Sequence, residues 1–423
     1  MAKSNPFWLV IVLIAFSGCE RPKDLAGLAQ EEEHPIINLT EEELQDKVLG
    51  MIVGSAIGDA MGAPTEMWSR EQIDLEYGWV DGLDSMVREV SPEGIWIPNL
   101  PAGGTTDDTR WKKLIYEYLI GENNHSLDAK RFASQILSHH EASVANFREI
   151  EGTDPEPYQA NILRVSWLQE WAKVSKPFIE DDLIGYMAGL STFYGGEMVC
   201  AGLLYAPAIG VFFPDQPEKA YKEAYKLAIY DQGYARDISS LSAAMTSAAM
   251  RKNATQEEVL DVLRSIDPEG YFQSRLVGRS SYRILQRALS IVSQAKKAEA
   301  DTLEEIQLTT PSREQILKAY LLLDQNLQDM PFHAGEIHLQ VLTALIFSNF
   351  DFELTLQFLV NYGRDNDTTA AVAGAILGAY LGFDRLPEQM KVKVMAVNTN
   401  ILGIDLNDLS QKLTFHMLSG PQK

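Results

Sequence analysis

Residues 50–66 read GMIVGSAIGDAMGAPTE, and residues 363–382 read GRDNDTTAAVAGAILGAYLG. In the first stretch Gly50, Gly54, Gly58 and Gly62 recur every four residues; in the second Gly374, Gly378 and Gly382 do the same. Upstream, Thr40-Glu41-Glu42-Glu43 is a capping box, so a helix is expected from there to about Met61. Asp367-Thr368-Thr369 is placed to cap the second helix. Glycine inside a helix costs about 1 kcal/mol relative to alanine, so a stripe of it on one ridge implies that another backbone comes close. The two smooth helices are therefore expected to pack together in one core; the alternative is that each meets a different bulky neighbour. Pairing would put residues near 60 and near 366 in one domain, despite a length of 423 residues.

Outward from this pair, the pattern is helical over 108–121, 128–147, 159–175, 217–230, 238–251, 255–265, 281–298, 312–328, 336–348 and 351–361. Apolar residues recur there at spacings of three and four, and strand signals are few. The expected fold is all-α: one domain over 39–420, a bundle of a dozen or more helices. Residues 87–106 form a long Pro- and Gly-rich loop, a kind that is usually functional or disordered.

The composition sets limits. Hydrophobic residues make up 46%, enough for a large core, and the formal charge of −23 repels phosphate backbones, so no nucleic-acid partner is expected. Two cysteines, Cys19 and Cys200, exclude a disulfide framework or a Cys-rich metal centre. Lys3 followed by the apolar run Phe7–Phe16 is too short to span about 30 Å of hydrocarbon. It ends in Phe16-Ser17-Gly18-Cys19, which resembles a bacterial lipobox; a plain signal peptide or an uncleaved anchor are the alternatives. The expectation is a signal peptide over 1–18, lipidation at Cys19 and a tether over 19–38. The protein would then be anchored by lipid to a bacterial membrane, extracytoplasmic and monomeric. Cys200, among apolar neighbours, is expected to be a buried thiol.

Three segments concentrate oxygen ligands: 58–66, ending in Glu66; 103–109, GGTTDDT; and 363–369, GRDNDTT. Adjacent aspartates repel, and nothing nearby in sequence is expected to neutralise Asp107 and Asp108, or Asp365 and Asp367. A divalent cation such as Mg²⁺, Ca²⁺ or Mn²⁺ would relieve both pairs, while the lack of Cys or paired His disfavours zinc. The bland alternative is that these residues only cap helices, where Asp and Thr are favoured.

Taken together, the three segments resemble the signature of the ADP-ribosylglycohydrolase family, which includes the dinitrogenase-reductase-activating glycohydrolase. The match runs over about 47–385: the G-D-x-x-G-x-x-x-E of the first segment, the T-D-D-T of the second, and the D-x-D-T followed by GAILGAYLG. The resemblance implies an all-α fold with two Mg²⁺ ions, Mn²⁺ being possible. It implies metal ligation by Thr106, Asp107 and Asp108 from one side and by Asp365, Asp367 and Thr368 from the other. Glu66 matches the acid that serves catalysis in some members, so Glu66, Asp107, Asp108 and Asp367 are the implied catalytic set. The implied chemistry is hydrolysis of an ADP-ribosyl linkage on a protein or small molecule.

The middle of the chain departs from the family. Where a G-N-G-x-x-M-R-like segment is expected, the sequence reads STFYGGEMV over 191–199, and Tyr230-Asp231-Gln232-Gly233 stands in place of a Thr-His. Tyr194, Gly195 and Gly196, together with Gly363, are candidate substrate contacts; a packed turn is the alternative. His333 and His338 are read as structural or surface residues, and Trp96 as core packing or a stacking platform. Two readings compete with ADP-ribosyl hydrolysis: the same metals acting on another N-glycoside or nucleoside, and a non-catalytic binding protein. Retention of every implied ligand argues against the last.

Overall fold

The opening helix runs Glu41–Gly62, and Thr40 starts it: its hydroxyl accepts from the Glu43 N–H at 3.2 Å while Glu43 accepts from the Thr40 N–H at 2.9 Å. The structure, a computed structural model, describes residues 38–91, 96–122, 126–149, 155–297 and 311–419, with backbone alone for 155–160. The expected signal peptide, Cys19 and all but the last residue of the tether lie outside the described residues.

The opening helix lies antiparallel against the helix Asn366–Leu381, backbone to backbone. A Cβ added at Gly50 would lie 2.5 Å from the Gly378 carbonyl oxygen, one at Gly54 2.5 Å from that of Gly374, and one at Gly58 2.1 Å from that of Ala370. Real Cβ atoms essentially never approach below 3.0 Å, so this interface admits only glycine on its ridge. The opening helix is long and apolar enough to cross a membrane, yet 94% of its most apolar stretch is buried inside the protein. It is a core helix.

Around this pair the described residues form helices and turns with no strand; two isolated bridges, Met86–Leu100 and Val199–His333, are the β contacts among them. The expected helix over 159–175 is two helices, Pro155–Trp167 and Gln169–Ile179, interrupted at Leu168. The helices Leu183–Thr192, Ala206–Phe212, Glu388–Val397 and Leu406–Ser419 were not anticipated.

Two polar contacts, one half-buried and one buried, tie helices together. Lys47 donates to the carbonyls of Ala249 (2.9 Å) and Ala379 (2.8 Å), near the C-termini of two helices whose last carbonyls lack partners of their own. Burial lowers its pKa to about 8. Asp237, fully buried, receives two hydrogen bonds from Arg279 (3.0 and 2.7 Å) and one each from Tyr221 (2.6 Å) and Ser281 (2.5 Å). His333 accepts from the Gly335 N–H at the start of the helix Ala334–Phe347, and His338 on that helix is buried.

Candidate active site

The glycine contact sets the site, because it brings two helix ends together. A Cβ at Gly62 would lie 2.4 Å from the Asp367 Cα, so the C-terminus of the opening helix meets the N-terminus of Asn366–Leu381 directly. The chain after the opening helix is then tied to the loop before the late helix. The Met67 N–H donates to the Arg364 carbonyl (2.7 Å), and the Arg364 N–H returns to the Trp68 carbonyl (2.9 Å). Gly363 has φ +83°, and a Cβ there would lie 2.5 Å from the Trp68 carbonyl oxygen. Arg364 forks onto buried Glu336 (2.9 and 3.0 Å), which anchors the loop. Glu66 and Asp365 are placed by these contacts.

The third element is the helix Asp107–Gly121. Buried Asp59 accepts from both the N–H and the hydroxyl of Thr106 (2.9 and 3.0 Å) and from both of Thr109 (3.0 and 2.6 Å). Its pKa is raised to about 6, chiefly by burial and then by the charge of Asp108. One carboxylate thus fastens the N-terminus of one helix to the C-terminus of another. Thr106 also donates to Asp367 at 3.3 Å.

Asp108 corrects the expectation that nothing local neutralises it. Lys112, one turn along and facing inward, donates to Asp108 Oδ1 at 2.8 Å, and both side chains are buried. Asp108 Oδ2 accepts from Thr368 at 3.0 Å. Glu66 is paired with Arg88 at 2.6 Å, and Arg88 also donates to the Ala63 carbonyl at 3.2 Å.

Glu66, Asp365 and Asp367 are buried and each offers a carboxylate oxygen, all within 4.8 Å of one another. Burial, then the charge of Glu66, pushes Asp365 up to about 8 and Asp367 well above the usual carboxylate range. Asp367 Oδ1 is buried with no hydrogen-bond partner. An all-oxygen donor set, crowded negative charge and an orphaned buried oxygen fit a hard divalent cation.

These acids form one wall of a cavity of about 180 Å³, lined by Glu66, Asp107, Asp365, Asp367 and Thr368. Facing them are apolar groups, among them Trp171, Tyr194, Cys200, Leu204 and Phe332. The Cys200 thiol is buried, and its pKa is raised well above the usual thiol value. Tyr194 reaches the cavity from a left-handed backbone (φ 44°). Gly195 and Gly196, at φ +75° and +84°, form that turn and lie outside the lining, as does Gly363. Thr106 and Asp108 sit behind the lining, bonded to Asp367 and to Thr368. Phe193 is in the core against Trp171 (5.1 Å between centroids). Trp96 is covered by Arg110 and Arg164, at 4.1 and 5.1 Å from its ring centre, rather than open as a platform.

Sequence reasoning placed Asp59 in the first ligand segment without giving it a role, and missed Arg88, Lys112 and Trp171. Asp59 had a signal, a carboxylate inside an apolar glycine ridge; Arg88 and Lys112 had none beyond their charge.

This is an all-α protein with an acidic, oxygen-rich centre where helix termini meet. A model of the ADP-ribosylglycohydrolase family matches residues 40–418, and the chain belongs to that family. The "Uncharacterized protein YegU" of Escherichia coli (strain K12) is 44% identical over 36 residues, 8% of this chain and 11% of that protein. A solved structure described as "ADP-ribosylglycohydrolase-related protein complex" superposes with a TM-score of 0.52 at 19% identity, covering 89% of this chain and 99% of that one, so the fold is shared.

Proposed function

We propose that the protein is a Mg²⁺-dependent hydrolase of ADP-ribosyl linkages, with Mn²⁺ able to substitute. The observation that carries this is the buried Glu66, Asp365 and Asp367 cluster on the wall of a cavity, within a chain of this family. A bound divalent ion would polarise ribose hydroxyls and lower the pKa of a water. Glu66, Asp365 and Asp367 would hold it, with Asp107 and Thr368 beside them on the same wall. Arg88 fixes the orientation of Glu66. The carboxylates also favour the positive charge that develops on a sugar ring as a glycosidic bond breaks. Trp171, Leu204 and Phe332 add apolar lining beside the acids, and charge interactions are stronger where apolar groups displace water. The lipobox-like Phe16–Cys19 supports lipid anchoring at Cys19 outside the cytoplasm.

A second reading, cleavage of an uncharged N-glycoside such as a nucleoside, is favoured by one feature. Among the described residues of the lining there is no lysine, arginine or histidine to meet a pyrophosphate. The test incubates the protein with ADP-ribosylated arginine and serine peptides and with nucleosides, in Mg²⁺ or EDTA, and detects the released sugar by mass spectrometry. Release of ADP-ribose that needs Mg²⁺ and falls at least about 100-fold in Asp367→Ala supports the first reading. Release from nucleosides alone selects the second, and metal-independent release refutes both.

A further inference from the structure

Lys112 is fully buried on the inner face of the helix Asp107–Gly121, with its Nζ 2.8 Å from Asp108 Oδ1. An ammonium taken out of water costs several kcal/mol unless paired, and Asp108 supplies the pairing. Thr368 donates to the other oxygen of Asp108 at 3.0 Å, so both oxygens are engaged from within the protein. Asp367 Oδ1 differs: it is buried and has no partner. The carboxylates within metal-sharing reach of one another are Glu66, Asp365 and Asp367, and Asp108 is not among them.

We infer that the Lys112 ammonium takes the charge role of a second metal ion, and that the centre holds one divalent cation, facing Glu66, Asp365 and Asp367. The inference rests on the metal-dependent reading above and replaces the two ions implied by the family resemblance. The balance of charge agrees. Six carboxylates converge here: Asp59, Glu66, Asp107, Asp108, Asp365 and Asp367. Against them stand Lys112 on Asp108, Arg88 on Glu66, and buried Arg110, which is attracted by Asp107 and Asp59. Counted with all six ionised, as beside a bound cation, the deficit is three charges, and one divalent ion reduces it to one. A second would leave a positive excess of one, and Asp108 could join its ligands only by exchanging Lys112 for the ion.

The test counts Mn²⁺ bound by the whole chain, using titration calorimetry and electron paramagnetic resonance. Wild type should take up one Mn²⁺ per chain and show the six-line signal of an isolated ion. Lys112→Met, similar in length but uncharged, should take up a second equivalent and show the signal of two coupled ions. Lys112→Arg should stay at one. Two Mn²⁺ per wild-type chain with a coupled signal would overturn the inference and leave the metal-dependent reading standing. No Mn²⁺ bound by wild type would overturn both. Should Lys112→Met not fold, the wild-type count and signal still decide.

Discussion

Replacing Gly58 with alanine probes the contact on which both fold and site depend. On an isolated helix this change would stabilise by about 1 kcal/mol. Here the added Cβ would lie 2.1 Å from the Ala370 carbonyl oxygen, 2.3 Å from its carbon and 2.8 Å from the Ala371 nitrogen. All three are backbone atoms, so none can rotate aside. Ordinary contact begins at 3.4 Å, and the two helices must part to reach it. Extra methylenes forced into a packed core cost about 1–3 kcal/mol, and a rigid obstacle places this case at the upper end. Subtracting the propensity gain leaves a net loss of ~2 kcal/mol. The separation also moves the centre, since Asp59 follows Gly58 directly and Ala370 is one turn beyond Asp367. Mn²⁺ affinity should fall by about tenfold, equivalent to about 1.4 kcal/mol. Gly50→Ala, at the far end of the same ridge and 2.5 Å from the Gly378 carbonyl oxygen, should lose similar stability while keeping metal affinity within about twofold of wild type. Gly121→Ala, where an added Cβ meets nothing within 4 Å, is the control and should lose nothing. The assays are urea unfolding in EDTA followed by circular dichroism, and Mn²⁺ titration by calorimetry. If Gly58→Ala were as stable as wild type, or more stable, the backbone contact would be refuted and with it the account of how the acids come together.

Three other substitutions separate the roles of buried charge. Asp59→Ala strands the Thr106 N–H and both donors of Thr109, the Thr106 hydroxyl keeping Asp367; it should cost about 3 kcal/mol or more in urea unfolding and weaken Mn²⁺ binding, and unchanged binding would show that Asp59 does not position the site. Asp237→Ala leaves the Arg279 guanidinium buried and unpaired; about 3–5 kcal/mol of stability should go, with Mn²⁺ affinity of the folded protein intact. His338 tests pH. Burial lowers its pKa from 6.5 to about 4, so the unfolded chain takes up the proton first as pH falls. The stability tied to the neutral imidazole is complete above the unfolded pKa and is lost between about pH 6.5 and 4, by roughly 3 kcal/mol. His338→Leu should reduce the fall in urea midpoint between pH 7 and 4.5; an unchanged fall would mean the imidazole is not held neutral.

The helix pair was legible because glycine in a helix interior carries its own cost, and a repeated cost implies a shared cause: Gly50, Gly54 and Gly58 meet Gly378, Gly374 and Ala370 as the spacing required. The caps at Thr40 and Asp351 follow from side-chain chemistry within one turn and could be read the same way. Leu183–Thr192 could not. Its apolar Leu183, Tyr186, Met187 and Leu190 do keep a helical spacing, but Gly185 and Gly189 interrupt it and none of its residues is buried, so the stretch lacks the packed face that such a pattern normally announces. The centre was half legible. Acids at helix ends announce themselves, but which acids meet depends on how the ends are aimed, and that is set by contacts over hundreds of residues, such as Asn366 to Thr65 (2.8 Å) and Thr368 to Asp108 (3.0 Å). Lys112 shows why such contacts escape a linear reading. An aspartate followed four residues later by a lysine is the usual pattern of a solvated helix face, worth a few tenths of a kcal/mol. The sequence of that turn is the same whether the pair faces water or the core. Facing the core, it contributes to the charge of the centre: Asp108 is neutralised from inside as Glu66 is by Arg88, and the crowded acids that remain beside Glu66 are Asp365 and Asp367.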